Sequence, residues 1–280
     1  MRRLIPLLIL LLVVLASPAA AADVETATAE LGAVRAELTW EPGLPSTTKP
    51  SLKITRSGQE FVSEPARCTT GEDDKLFCEQ PGVLRDHKPI LARDLDGDGE
   101  PEVLVEMYTG GAHCCVISRI YRFDGAGYSS VRTDWADTGF RLRDVEGDGK
   151  VELVTADPRF AYAFTSFADS AFPVQVYAYE AGELDDVSAG YPQLIRRDAR
   201  SWWHTYTTSR RGGDARDARG VLAAWLADKY RLGEAADGWR RIRRALRRGD
   251  LRAGGGWAND EKYVRLLRRS LRAWGYTGSL

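Results

Sequence analysis

The pattern of apolar and polar positions changes once along the 280-residue chain, near residue 190. Before that point short runs alternate with a period of two, and after it apolar residues return every three or four positions. Val34-Arg35-Ala36-Glu37-Leu38-Thr39-Trp40 and Leu52-Lys53-Ile54-Thr55-Arg56 alternate, which predicts half-buried strands. Ser57-Gly58 predicts a hairpin turn, with Gln59-Glu60-Phe61-Val62 as the return strand. Between the first two runs, Pro42, Pro45 and Pro50 mark a loop. From Pro192 the pattern predicts four amphipathic helices. The first runs through Trp202, Trp203 and Tyr206 to Arg210-Arg211-Gly212-Gly213, and the second carries Leu222, Leu226 and Tyr230 with Trp225 beside them. The third has Trp239, Ile242 and Leu246 on one face, arginines on the others and Gly249 as its stop. Asn259 is predicted to cap the last, whose stripe is Tyr263, Leu267, Leu271 and Trp274.

One nine-residue stretch occurs twice. Asp94-Leu95-Asp96-Gly97-Asp98-Gly99-Glu100-Pro101-Glu102 returns as Asp144-Val145-Glu146-Gly147-Asp148-Gly149-Lys150-Val151-Glu152. Acidic side chains stand at positions 1, 3, 5 and 9 and a glycine at position 6, where a chain wrapping an ion turns sharply. Oxygens so spaced suit calcium, a hard cation that takes six to eight of them. Position 7 would add a backbone carbonyl, from Glu100 or Lys150, so the lysine side chain is no obstacle. The candidate ligands are therefore Asp94, Asp96, Asp98, Glu100 and Glu102, then Asp144, Glu146, Asp148, Lys150 and Glu152. An EF-hand would close with Glu at position 12 and continue as a helix. Here position 12 is Val105 or Thr155, and strand-like runs follow: Glu102 to Tyr108 and Glu152 to Thr155.

An Asp-x-Asp-Gly-Asp-Gly-x-x-acid loop entering an apolar strand resembles the calcium loop of FG-GAP or VCBS-like repeats, the blade units of integrin alpha-chain-like β-propellers and of many bacterial secreted proteins. Each copy also reaches an aromatic strand and a glycine turn, Ile120 to Gly125 and Val176 to Gly182, and the likeness covers residues 85–185. Two departures stand out. Position 9 is Glu in both copies where the family more often has Asp, and Glu146 is longer than an aspartate at position 3, which points to a weaker second site. The resemblance implies a mainly β fold of blade-like antiparallel sheets. A full propeller needs at least four four-stranded blades, so a small or incomplete one is expected, followed by a C-terminal α-helical portion.

Residues 1–22 have the pattern of a secretory signal peptide: Arg2 and Arg3, an apolar run from Leu4 to Leu15, and Ala20-Ala21-Ala22. That predicts a secreted chain with residues 23–189 as the β domain and 190–280 as a basic helical region. The apolar run is too short for a membrane span, and no second one follows. Export makes Cys68, Cys78, Cys114 and Cys115 candidates for disulfides. A Cys68–Cys78 bridge across a polar loop would leave Cys114 joined to its neighbour; otherwise each of the first two takes one of the pair. His113-Cys114-Cys115 is also a candidate soft-metal site.

Charge is divided as sharply as texture. Residues 23–189 hold 16 Lys or Arg against 31 Asp or Glu, a net of −15, whereas residues 190–280 hold 21 against 9, a net of +12. Either the two parts attract each other, or the basic helices meet an outside partner such as an anionic envelope polymer or another extracellular protein. No nucleic-acid partner is expected. The aromatic run Phe160, Tyr162, Phe164, Phe167 and Phe172, like Trp135 and Phe140, is expected to pack between blades, a sugar or peptide groove being the alternative. No Gly-x-Ser-x-Gly elbow, His-Glu-x-x-His pair or phosphate-cradling glycine loop occurs. These features point to a calcium-binding, non-enzymatic binding or structural protein. The alternative is a secreted hydrolase of an envelope polysaccharide or phosphodiester with an acidic site outside any motif.

Overall fold

The computed structural model describes residues 24–42, 50–66, 80–81, 88–212, 217–252 and 256–277. The segment read as a signal peptide, Cys68, Cys78 and the loop between them lie outside this set.

Three antiparallel sheets follow one another along the chain. The first takes β1 (Glu25–Leu31), β2 (Val34–Trp40), β3 (Ser51–Arg56) and β4 (Gln59–Pro65) in sequence order. The second contains β5 (Gln80–Pro81), β6 (Ile90–Arg93), β7 (Glu102–Gly111), β8 (Cys114–Phe123) and β9 (Tyr128–Asp134). Here β5 and β6 pair with successive parts of the same edge of β7, so the sheet is four strands wide. The third is β10 (Arg141–Arg143), β11 (Glu152–Ala156), β12 (Val174–Glu180) and β13 (Glu183–Asp186). Among the described residues none of the three closes on itself.

Strand alternation decides how the sheets stack. In β2 and β3 the buried residues are Val34, Ala36, Leu38, Leu52 and Ile54, every second position, and they form one core with Val103, Val105, Met107, Ile117 and Tyr121 of the second sheet. The intervening positions of the second sheet, Leu104, Val116 and Ile120, face the other way. They pack with Trp135, Phe140, Val151, Leu153 and Tyr179 of the third-sheet side. The middle sheet is thus covered on both faces, which is why β7 reads as an almost unbroken apolar run. Trp135 and Phe140 do pack between sheets: their rings lie 5.0 Å apart, and the Trp135 indole N–H donates to Ser118 Oγ at 2.7 Å.

The hairpin predicted at Ser57-Gly58 forms, with both residues at positive φ. Strand β1 gives little sequence signal because its inward residues, Ala27 and Ala29, are too small to stand out.

Four helices complete the described chain: α1 (Pro192–Ser209), α2 (Ala218–Arg231), α3 (Ala235–Arg248) and α4 (Asp260–Ala273). Pro192 starts α1, where its missing N–H costs nothing, and Gly249 ends α3 in the left-handed conformation. Asn259 does precede α4 in extended backbone, yet its side chain makes no capping bond. The expectation of four amphipathic helices fails for α2, which is buried on every side from Arg219 to Asp228. Its alanines, Ala223, Ala224 and Ala227, together with Gly220 and Gly238, let neighbours approach closely. A Cβ on Gly220 would collide with the Asp169 carbonyl, and one on Gly238 with the Leu226 side chain.

The aromatic excursion in 157–173 also differs from expectation. Phe160 and Phe164 leave the sheets and enter the helical core with Tyr263, Trp239 and Leu267. Full burial of such side chains contributes about 1.5–3 kcal/mol each, so this segment helps to join the β and helical regions. Polar ties reinforce it: Val174 N–H donates to Asp198 at 2.9 Å, Thr165 Oγ1 to Asp217 at 2.9 Å and the Tyr276 hydroxyl to Asp157 at 2.9 Å. Arg240, Arg243, Arg244 and Arg247 of α3 are exposed to solvent.

Candidate metal centre

Both duplicated loops join the first strand position of a sheet to the second, β6 to β7 and β10 to β11, and both fold alike. In the first, Asp94 Oδ1 accepts from Gly97 N–H at 2.7 Å and Oδ2 from Gly99 N–H at 3.0 Å. In the second, Asp144 Oδ1 accepts from Gly147 N–H at 2.5 Å and Oδ2 from Gly149 N–H at 3.0 Å. Gly97 and Gly99 have φ of 76° and 88°, Gly147 and Gly149 of 78° and 93°, a turn that only glycine makes without strain. At position 9 each glutamate reaches back to the loop: Glu102 Oε2 accepts from Leu95 N–H at 2.9 Å, Glu152 Oε2 from Val145 N–H at 2.8 Å.

The carboxylates, however, converge only in the first loop. Oxygens of Asp94, Asp96 and Glu102 lie within 4.8 Å of one another, and this is the one such acidic group among the described residues. Glu102 is 1% exposed, and its Oε1 is buried without a hydrogen-bond partner. Burial, with the charges of Asp96 and Asp98 adding to it, pushes its carboxyl up from 4.5 to about 7. An anionic oxygen in this position lacks the partner that buried charge requires. A divalent cation among three carboxylates would supply that partner, and the donor set is all oxygen, as calcium prefers. Tyr179, beside the group, has a buried hydroxyl without a partner; burial, then the charges of Glu102 and Asp96, holds its proton on more firmly.

The remaining expected ligands are placed differently. Asp98 accepts from Glu100 N–H at 2.8 Å and pairs with Arg122 at 3.3 Å, while the Glu100 carboxylate pairs with Arg56. In the second loop Asp144, Glu146, Asp148 and Lys150 are solvent-facing, and the Lys150 side chain runs back beside Gly97 of the first loop. Glu152 is buried but, unlike Glu102, leaves no buried oxygen without a partner.

The difference between the loops comes from their neighbours. Asp96 Oδ2 accepts from Ala181 N–H at 3.1 Å, a donor in the β12–β13 turn of the next sheet, and Arg56 reaches the same loop from the preceding sheet. Among the described residues the third sheet is the last, and no following hairpin turn reaches the second loop. Nothing local in the sequence signals Ala181, Arg56, Arg122 or Tyr179 as parts of the centre, because each arrives from another sheet or strand.

Cys115 is disulfide-bonded, and no described cysteine is free. Its partner sulfur is not among the described side chains. His113 stacks on Phe167 with ring centroids 3.9 Å apart.

Similarity to known proteins includes the helical region. Residues 195–275 match the family model described as the sll0997 C-terminal domain. The chain is 35% identical over 156 residues, 52% of its length, to the probable thylakoid lumen protein sll0997 of Synechocystis sp.. It is 28% identical over 197 residues, 69% of its length, to the uncharacterized protein y4bJ of Sinorhizobium fredii. The matched parts cover 44% and 29% of the lengths of these two relatives. No solved structure matches it.

Proposed function

We propose that this chain is an exported, calcium-stabilised module that binds or buttresses rather than turns over a substrate. The observation that carries the reading is Glu102 Oε1, buried without a partner beside Asp94 and Asp96. Calcium at the first loop would draw on Asp94, Asp96 and Glu102, and it would tie the loop to the sheets on either side through the Ala181 and Arg56 contacts. The second loop is the weaker site, with Asp144, Glu146 and Asp148 solvated.

Three consecutive four-strand-wide meanders, stacked through two cores, support the FG-GAP-like reading of the sheets as propeller-type blades in an incomplete ring. Export is supported by the residue 1–22 pattern, by the disulfide at Cys115 and by the name of the Synechocystis relative, a probable thylakoid lumen protein. The partner is an anionic envelope polymer or another protein of the same compartment, met through the solvent-facing arginines of α3.

Calorimetric titration of the metal-free chain tests the calcium assignment. One tight and one much weaker site are expected, and Asp94→Asn should remove the tight one while Asp144→Asn leaves it. Absence of any binding at millimolar calcium would overturn the proposal.

A further inference from the structure

We propose that the helical region carries a small-molecule site: the groove between α1, α2 and α3 takes a planar ring bearing a dianionic acid group, with a phosphate monoester as the closest chemical match. The groove measures about 480 Å³, inside the ~300–1,000 Å³ range of ligand sites. Its lining falls wholly within residues 195–275, apart from the calcium loops and within the segment that matches the family model.

The floor is aromatic. Trp203 of α1 and Trp225 of α2 lie with ring centroids 4.7 Å apart, tilted by 42°, and the Arg241 guanidinium of α3 sits 4.7 Å from the Trp203 ring. Trp225 is buried, so the half-buried Trp203, backed by it, is the aromatic surface left for a flat ligand ring.

The rim is cationic beyond what the fold consumes. Arg196, Arg200, Lys229 and Arg241 line it, and two carboxylates answer them. Glu234 takes Arg196 at 2.7 Å and also Lys229, and Asp237 takes Arg241 at 3.2 Å and Lys229 at 3.4 Å. Four cations against two anions leave a local balance of +2. Among the described residues Arg200 has no ion pair, and Arg241 uses only Nε on Asp237, leaving both Nη groups without a hydrogen bond. Arg196 and Arg200 stand four residues apart on one helix face, a like-charge spacing that disfavours the free helix. The Arg200 guanidinium and the two Nη groups of Arg241, beside the tilted indoles, match a doubly charged tetrahedral acid on a ring, since arginine binds phosphate oxygens two at a time.

The experiment uses the full chain and phenyl phosphate, with inorganic phosphate and phenol as its separated halves, followed by tryptophan fluorescence and by calorimetry. Phenyl phosphate should bind at least about tenfold more tightly than either half. Arg200→Gln should weaken it by about tenfold or more without lowering helicity or Tm, because Arg200 is exposed and unpaired among the described residues. Trp203→Leu should erase the advantage over inorganic phosphate. Equal affinity for phenyl phosphate and inorganic phosphate, indifference to Arg200→Gln, or no saturable binding would each overturn the proposal. So would loss of binding on neutralising Arg240 and Arg243 alone, which would place the anion on the outer face of α3.

Discussion

Replacing Glu102 by glutamine should make the chain more stable without calcium and less responsive to it. Burial raises the Glu102 carboxyl from 4.5 to about 7, which corresponds to about 3 kcal/mol between the two protonation states. The folded value lies above the unfolded one, so this group's contribution to stability is whole below the unfolded value and is lost as pH rises from about 4.5 through about 7. At pH 8 in chelator the parent therefore carries the full penalty. The substituted amide keeps an oxygen for Leu95 N–H and carries no charge, so the Glu102→Gln variant should be more stable by up to about 3 kcal/mol, which for a chain of this size is about 6–12 °C in Tm. Calcium at a hundredfold excess over its Kd adds about 2.7 kcal/mol to a fold that binds it, and only the parent should gain it in full. Thermal and urea unfolding in chelator and in millimolar calcium would show the gap between parent and variant shrink or invert. Equal calcium shifts in both proteins, or a less stable variant in chelator, would refute the reasoning.

Asp228 is fully buried, and burial with the nearby Asp198 charge holds its carboxyl well above the ordinary range. Its stabilising, protonated form is lost as pH rises through the folded pKa, so Asp228→Asn should gain on the parent by about 1.4 kcal/mol per pH unit over that window, read from urea midpoints at several pH values. Phe164→Ala should cost about 3–5 kcal/mol, because Phe164 joins the third-sheet excursion to Tyr263 and Trp274; circular dichroism should show sheets and helices melting together in the parent and apart in the variant. Asp217→Ala would leave Arg219, 1% exposed, without its carboxylate, at a cost of about 3–5 kcal/mol in denaturant unfolding. Unfolded, unreduced chain should take up no alkylating reagent, since its cysteines are expected in disulfides.

The sequence by itself determined the local features. Alternation marked β2 and β3, helical spacing placed α1 to α4 after residue 190, and the spacing of aspartates and glycines specified two loops that share the same backbone bonds to their first aspartate. Such features depend on residues a few positions apart, so a linear reading reaches them. The tertiary structure decided which loop gathers its acids, because the deciding donor, the Ala181 N–H on Asp96, lies 85 residues away along the chain. It also decided that α2 is buried all round, since its neighbours close on a helix whose alanines and glycine carry little periodic signal. The destination of Phe160 and Phe164 was likewise open in sequence: an aromatic side chain records that it will be buried, and the surface that buries it is supplied by helices folding some fifty to a hundred residues further on.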